Sequence, residues 1–156
     1  MKIRTPLPGE LAELSALCLR SKAYWGYDEA FIEACREELT LTPDELSSTY
    51  LAVAEIDGAI AGLVQVGIEA DEADLHKLFI DPEKIGAGIG RHLMDWGFEV
   101  ARRAGARRMT IVADAGAVPF YERIGAYQIG DAPSDSIPGR KLPKLVCDLR
   151  DFSADT

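Results

Sequence analysis

The dipeptide Asp57-Gly58, set between two long apolar runs, constrains this chain more tightly than any other pair of residues. The runs from Tyr50 to Ile56 and from Ala59 to Ile68 carry Val, Ile, Leu and Tyr, and an Asp-Gly link supplies the left-handed backbone of a two-residue hairpin turn. Two antiparallel strands are therefore expected near the middle of the chain, and the remaining elements must pack on them. A third strand from about Asp74 to Ile80 follows the turn at Asp71-Glu72 and stops at Asp81-Pro82.

The remaining punctuation is equally local. Lys2 to Thr5 reads as a short opening strand, ended by Pro6, Pro8 and Gly9. Leu11, Leu14, Leu17 and Cys18 recur at helical spacing, and Phe31, Ile32, Cys35 and Leu39 do so again after Asp28 as N-cap. Gly86, Gly88 and Gly90 lead into an amphipathic helix through Ile89, Leu93, Trp96, Val100 and Ala104, closed by Gly105. A strand from about Arg108 to Ala113, a short helix from Val118 to Ile124 and two strands near Ala126 to Ile129 and Leu145 to Leu149 complete the order. Asp131 to Pro143, with three prolines, reads as a long functional loop. The pattern is α+β with a mixed sheet, and 156 residues that are 47% apolar suit a single domain spanning 1–156.

The 26 acidic against 17 basic residues give a net charge of -9, the wrong sign for holding nucleic-acid phosphates or anionic lipid. An acidic balance tolerates amine-bearing partners and also serves solubility. Cys18, Cys35 and Cys147 are far apart and odd in number, which predicts reduced core residues and no metal site. The N-terminal stretch has no apolar signal core and no run is long enough to span a membrane, so a cytoplasmic protein is expected.

Glycines at alternate positions let a backbone pass close to a ligand, and the helix that follows offers unpaired N–H groups at the positive end of its dipole. That combination binds phosphate. Arg91, in the first turn, adds a charge-assisted contact. A dinucleotide-binding loop needs a third glycine where Arg91 stands, and a nucleotide P-loop needs Lys then Ser or Thr, so neither motif is met.

The segment Asp81-Pro82-Glu83-Lys84-Ile85-Gly86-Ala87-Gly88-Ile89-Gly90, placed after an apolar strand, instead resembles the signature loop of the GCN5-related N-acetyltransferase (GNAT) family. Asp114-Ala115-Gly116-Ala117-Val118-Pro119-Phe120-Tyr121-Glu122-Arg123-Ile124-Gly125-Ala126 is similar to that family's later motif, in family order and at family distance. The resemblance runs from Lys2 to Leu149. It implies a GNAT fold: a mostly antiparallel six- to seven-stranded mixed sheet with helices on both faces and a splayed pair of parallel strands. It also implies acetyl-coenzyme A as co-substrate, with no metal. Ile85, Gly86, Ala87, Gly88, Ile89, Gly90 and Arg91 would hold the pyrophosphate. Leu78, Phe79 and Ile80 would pair with the pantetheine arm, and Asp114, Ala117 and Phe120 would border it. Two positions depart from the family pattern: Ile85 stands where Arg or Gln is usual, and Asp114 where Asn is usual.

Acetyl transfer to an amine needs a proton acceptor, an oxyanion donor and an acid for the departing thiolate. By resemblance Tyr121 is the acid, and the N–H of Phe79 or Ile80 polarises the thioester oxygen. Asp74 and His76, two apart on one strand and so on one face, are alternative bases. His92, on the helix after the loop, is a surface residue. Tyr24, Trp25 and Tyr27 suit two roles equally, a wall of the acceptor pocket or a clasp on the sheet. The loop bearing Arg140 forms the opposite wall, with Arg140 available to a substrate carboxylate. The acceptor would be the amine of a small metabolite or an amino-acid-like molecule. A coenzyme A-binding regulatory domain and an acetyltransferase of a protein amine are the alternatives. Edge strands near the C-terminus allow a homodimer.

Overall fold

Asp57 and Gly58 both adopt left-handed backbone, at φ 52° and 81°, and join β2 (Tyr50–Ile56) to β3 (Ala59–Glu69) as an antiparallel hairpin. Mirror-image turns of this kind match the natural twist of paired strands, which explains why an Asp-Gly dipeptide is used here. The computed structural model of the protein describes residues 1–150. They form a seven-stranded sheet in the order β1-β2-β3-β4-β5-β7-β6, where β1 is Lys2–Arg4, β4 Glu72–Ile80, β5 Arg108–Val112, β6 Tyr127–Pro133 and β7 Lys141–Asp148. Every pairing is antiparallel except that of β4 with β5.

Helices cover both faces. On one side lie α1 (Leu11–Ala23) and α2 (Glu29–Leu39), whose Leu14, Leu17, Cys18 and Cys35 pack on Val53 and Leu63. Asp28 caps α2 as its composition predicts, accepting from the Phe31 N–H at 2.8 Å. A short α3 (Pro43–Ser48), absent from the sequence reading, starts at a capping box formed by Thr42 and Glu45. On the other face α4 (Ile89–Arg103) and α5 (Val118–Arg123) bury Ile89, Leu93, Met94, Phe98 and Tyr121 against Val64, Val66, Met109 and Ile111. Each fully buried aliphatic side chain contributes about 1.5–3 kcal/mol of transfer free energy. The three cysteines are buried, and burial pushes the Cys18 thiol up to about 12. Among the described residues no helix is long and apolar enough to cross a membrane.

One irregularity shapes the rest. Along β4, Asp74 opposes Gly67, Leu75 opposes Val66 and Lys77 opposes Gln65, so His76 has no partner on β3. This extra residue is a β-bulge, which bends the strand that carries it. Beyond the bulge the chain leaves β5: the parallel pairing ends at Leu75 with Ile111, while β4 runs on to Ile80. The splayed pair expected from the sequence is present.

The long loop expected from Asp131 to Pro143 is not. Its first three residues belong to β6 and its last three to β7, leaving a turn over 134–140. The prolines are tolerated because Pro133 ends an edge strand, while Pro143, which lacks an N–H, still accepts from the Ala113 N–H at 3.0 Å.

Replacing Gly58, which holds φ +81°, by alanine should lower stability by about 1 kcal/mol in chemical denaturation. Leu93→Ala, at a fully buried position on α4, should cost about 2–5 kcal/mol in the same assay.

Candidate active site

The divergence of β4 and β5 opens a cleft of about 1020 Å³. Its floor is the stretch of β4 from Asp74 to Ile80 on one side and Thr110, Val112 and Ala113 on the other. From His76 onward, the edge of β4 that faces β5 has no strand paired to it, so its main-chain donors and acceptors are available to a ligand.

One end is built by the glycine loop. Gly88 caps α4 in the left-handed conformation at φ 79°, which a residue with a Cβ resists. The first turn closes with the His92 N–H donating to the Gly88 carbonyl at 3.3 Å, and the N–H groups of Ile89, Gly90 and Arg91 ahead of it have no backbone acceptor among the described residues. A helix start with such orphan donors suits an anion. Phe120 lies over Gly90, where a Cβ would come within 3.2 Å of the ring, so α5 is docked directly on this helix start.

Tyr121, next on α5, lines the cleft and is only 7% exposed. Its hydroxyl has no hydrogen-bond partner among the described residues. Burial, assisted by the negative charge of Asp114, pushes the phenol well above its ordinary value and keeps it protonated.

The opposite layer contributes Ser21, Lys22, Tyr24 and Trp25 from the end of α1 and beyond it, and Cys35, Glu38 and Leu39 from α2. Asp74, His76 and Lys77 face this layer. The His76 ring lies against Gly67, where a Cβ would stand 2.6 Å from Nε2. His76 is exposed to the cleft, but partial desolvation of its ring lowers the imidazole's pKa below 6.5, Lys77 adds to this, and Asp74 opposes it. Lys77 is buried in a network: its Nζ donates to Gln65 Oε1 at 3.1 Å, and Gln65 Nε2 donates to Glu45 Oε2 at 2.8 Å.

A second polar hub fastens the walls together. The carboxylate of Asp114 accepts from Lys22 Nζ at 3.0 Å, from the Tyr27 hydroxyl at 2.9 Å and from an Arg140 nitrogen at 3.2 Å. Arg140 also donates to the Tyr27 hydroxyl at 2.6 Å and lies over the stacked rings of Tyr27 and Phe31. Burial pushes the Asp114 carboxyl up, but Lys22 and the hydrogen bonds from Lys22, Tyr27 and Arg140 outweigh it and hold it below the usual carboxylate range. The Ser136 hydroxyl donates to Glu38 and joins the same turn to α2.

The structure brings many of the sequence candidates to one cleft. Tyr121, Asp74, His76, Leu78, Phe79, Ile80, Ile85, Gly90, Asp114, Ala117, Phe120, Tyr24 and Trp25 all line it. Gly86, Ala87, Gly88 and Ile89 form the loop and the helix start beside it. Trp25 packs over Gly116, where a Cβ would lie 2.8 Å from its ring, so it is both wall and clasp. Arg91 pairs with Asp95 at 3.2 Å on the exposed face of α4, and His92 is exposed there. Tyr27 and Arg140 stand behind the wall, engaged with Asp114. Lys22, Glu38, Lys77 and Asp135 line the cleft without having been singled out, since each meets it through contacts distant in sequence.

The chain was compared with known proteins. A family model described as the Acetyltransferase (GNAT) family matches residues 13–126. Over 83 residues the chain is 35% identical to an uncharacterized N-acetyltransferase of Methanocaldococcus jannaschii, an alignment covering 47% of this chain and 37% of that relative's length. In fold it is similar to the PaiA N-acetyltransferase of Thermoplasma acidophilum solved with coenzyme A, at TM-score 0.80 and 18% identity over 94% of this chain and 98% of that one. It is also similar to a GCN5-related N-acetyltransferase of Rhodopseudomonas palustris, at TM-score 0.79 and 22% identity over 94% of each chain. Both the glycine loop and the segment bearing Tyr121 fall inside the matched region, and the chain belongs to the acetyltransferase (GNAT) family.

Proposed function

We propose that this protein transfers the acetyl group of acetyl-coenzyme A to a primary amine of a small metabolite or amino-acid-like acceptor by direct attack. The observation that carries this reading is Tyr121: a buried phenol, without a hydrogen-bond partner among the described residues, that faces the wedge between β4 and β5. The orphan N–H groups at the start of α4 and the unpaired edge of β4 fit a long ligand with an anionic diphosphate at one end and an amide-bearing arm.

Bound acetyl-coenzyme A supplies an activated thioester carbonyl. The chain's own residues manage the protons and the charge. Asp74, on the acceptor side, attracts the ammonium form of the substrate and stabilises the imidazolium of its neighbour His76. His76, whose pKa is lowered by partial desolvation and by Lys77, is neutral at pH 7 and accepts the first proton that the ammonium must lose. As the amine nitrogen bonds to the acyl carbon and the carbon–sulfur bond breaks, Tyr121 gives its proton to the departing sulfur. The ammonium loses two protons in all: the first passes through His76 to solvent, and the second, lost from the nitrogen once it has bonded to the acyl carbon, replaces the proton that Tyr121 gave to the sulfur. Main-chain N–H groups at Phe79 or Ile80 are the donors available to the carbonyl oxygen. Asp114, with three partners of its own, orders the walls around these groups.

Tyr121→Phe should lower kcat by about 100-fold or more while the Kd for acetyl-coenzyme A, read by calorimetry, stays within about twofold. An unchanged kcat removes Tyr121 as the acid. Since the His76 pKa is depressed, activity should be full at pH 7 and fall only as pH drops through a value under 6.5. In His76→Ala that acidic limb of kcat/KM should disappear or move, and an unmoved limb assigns the proton to Asp74 alone.

A further inference from the structure

The ionic partnerships around the acceptor side of the cleft are lopsided. Each cation there is already engaged within the protein, Lys22 and Arg140 on one shared carboxylate. Lys22 is held by Asp114 at 3.0 Å, and Arg140 by the same carboxylate at 3.2 Å. Lys77 is held by Gln65 at 3.1 Å and by Glu45 at 3.8 Å. Arg123 also lines the cleft, but it stands on α5, on the far face of the sheet. The carboxylates are in the opposite condition. Asp74 and Asp135 have no cationic partner among the described residues, and Glu38 accepts only from the Ser136 hydroxyl. That bond holds the turn against α2, so Glu38 and Asp135 lie at the same end of the cleft. Tyr24 and Trp25, 55% and 45% exposed, add aromatic surface to the same cleft.

The cleft qualifies as a binding site independently of these charges, through Tyr121, a side chain only 7% exposed that lines it and whose hydroxyl has no partner among the described residues. Charge then selects among amines. We infer that the acceptor is a diamine-like molecule, with a second cationic centre beyond the reacting nitrogen and no carboxylate. Asp74 meets the reacting end, and Glu38 with Asp135 meets the distal cation. Arg140, the residue a substrate carboxylate would need, is occupied by Asp114 and Tyr27, so an amino-acid-like acceptor finds repulsion where it requires a partner. This inference rests on the acetyltransferase reading and narrows it.

Three acceptors of one chain length test it: pentane-1,5-diamine, pentylamine and 5-aminopentanoate, with thiol release as readout and calorimetry for acetyl-coenzyme A in parallel. Each step of that series removes one favourable charge or adds one unfavourable charge near the carboxylates, so kcat/KM should fall by about tenfold at each. The ratio for diamine over pentylamine should drop by at least about fivefold in Glu38→Gln combined with Asp135→Asn, and in high salt. Preference for 5-aminopentanoate, or a diamine ratio that the double variant leaves unmoved, overturns the inference while leaving the acetyltransferase reading intact. No thiol release with any acceptor, together with no calorimetric binding of acetyl-coenzyme A, overturns both.

Discussion

The extra residue at His76 is the constraint on which the rest of this structure depends. A regular β4 would stay hydrogen-bonded to β5 up to the end of that shorter strand at Val112 and narrow the opening. With His76 unpaired on β3, the strand turns away after Leu75, and the side-chain alternation shifts with it. Ala73 and Leu75 pack on the α4 side, and so do Leu78 and Ile80, a step of three where a regular strand takes two. The same shift sends both His76 and Lys77 towards the α1–α2 layer. One inserted residue thereby opens the wedge, exposes main-chain groups inside it and delivers an imidazole to its acceptor side. The glycine loop and α5 are docked on the other side through Phe120 and Gly90.

Two polar hubs make the wedge tolerable. An unpaired buried charge costs about 3–5 kcal/mol, so Lys77 beneath the acceptor side requires Gln65 and Glu45, and Asp114 requires Lys22, Tyr27 and Arg140. These pairings do more than satisfy their members. By engaging the cations internally they leave Asp74, Glu38 and Asp135 to set a negative field on the acceptor side. The acidic balance of the whole chain acts in the same direction.

How much of this could be read from residues alone follows from how local each cause is. The Asp57-Gly58 turn, the Asp28 cap and the glycine loop act within a few residues, and their elements lie where the sequence puts them. The capping box of Thr42 and Glu45 was also legible but was passed over, because α3 is too short to show an apolar period. The prolines near 133–143 suggested a loop; the position of β6 at the sheet edge makes Pro133 compatible with a strand, whereas Pro143 stands on the interior β7. The bulge could not be read, since it is a register between β3 and β4 that composition does not mark. Nor could the partners of Asp114, which are 92, 87 and 26 residues away. Arg140, read as free for substrate, is for that reason found engaged.

The seven-residue turn between β6 and β7 is anchored twice, through Arg140 to Asp114 and Tyr27 and through Ser136 to Glu38. It is consequently not a modular loop that can be exchanged for another of equal length. A graft lacking the guanidinium would leave Asp114 to Lys22 and Tyr27 alone and uncover the aromatic stack of Tyr27 and Phe31, so redesign of this lip has to carry the α1–α2 junction along with it.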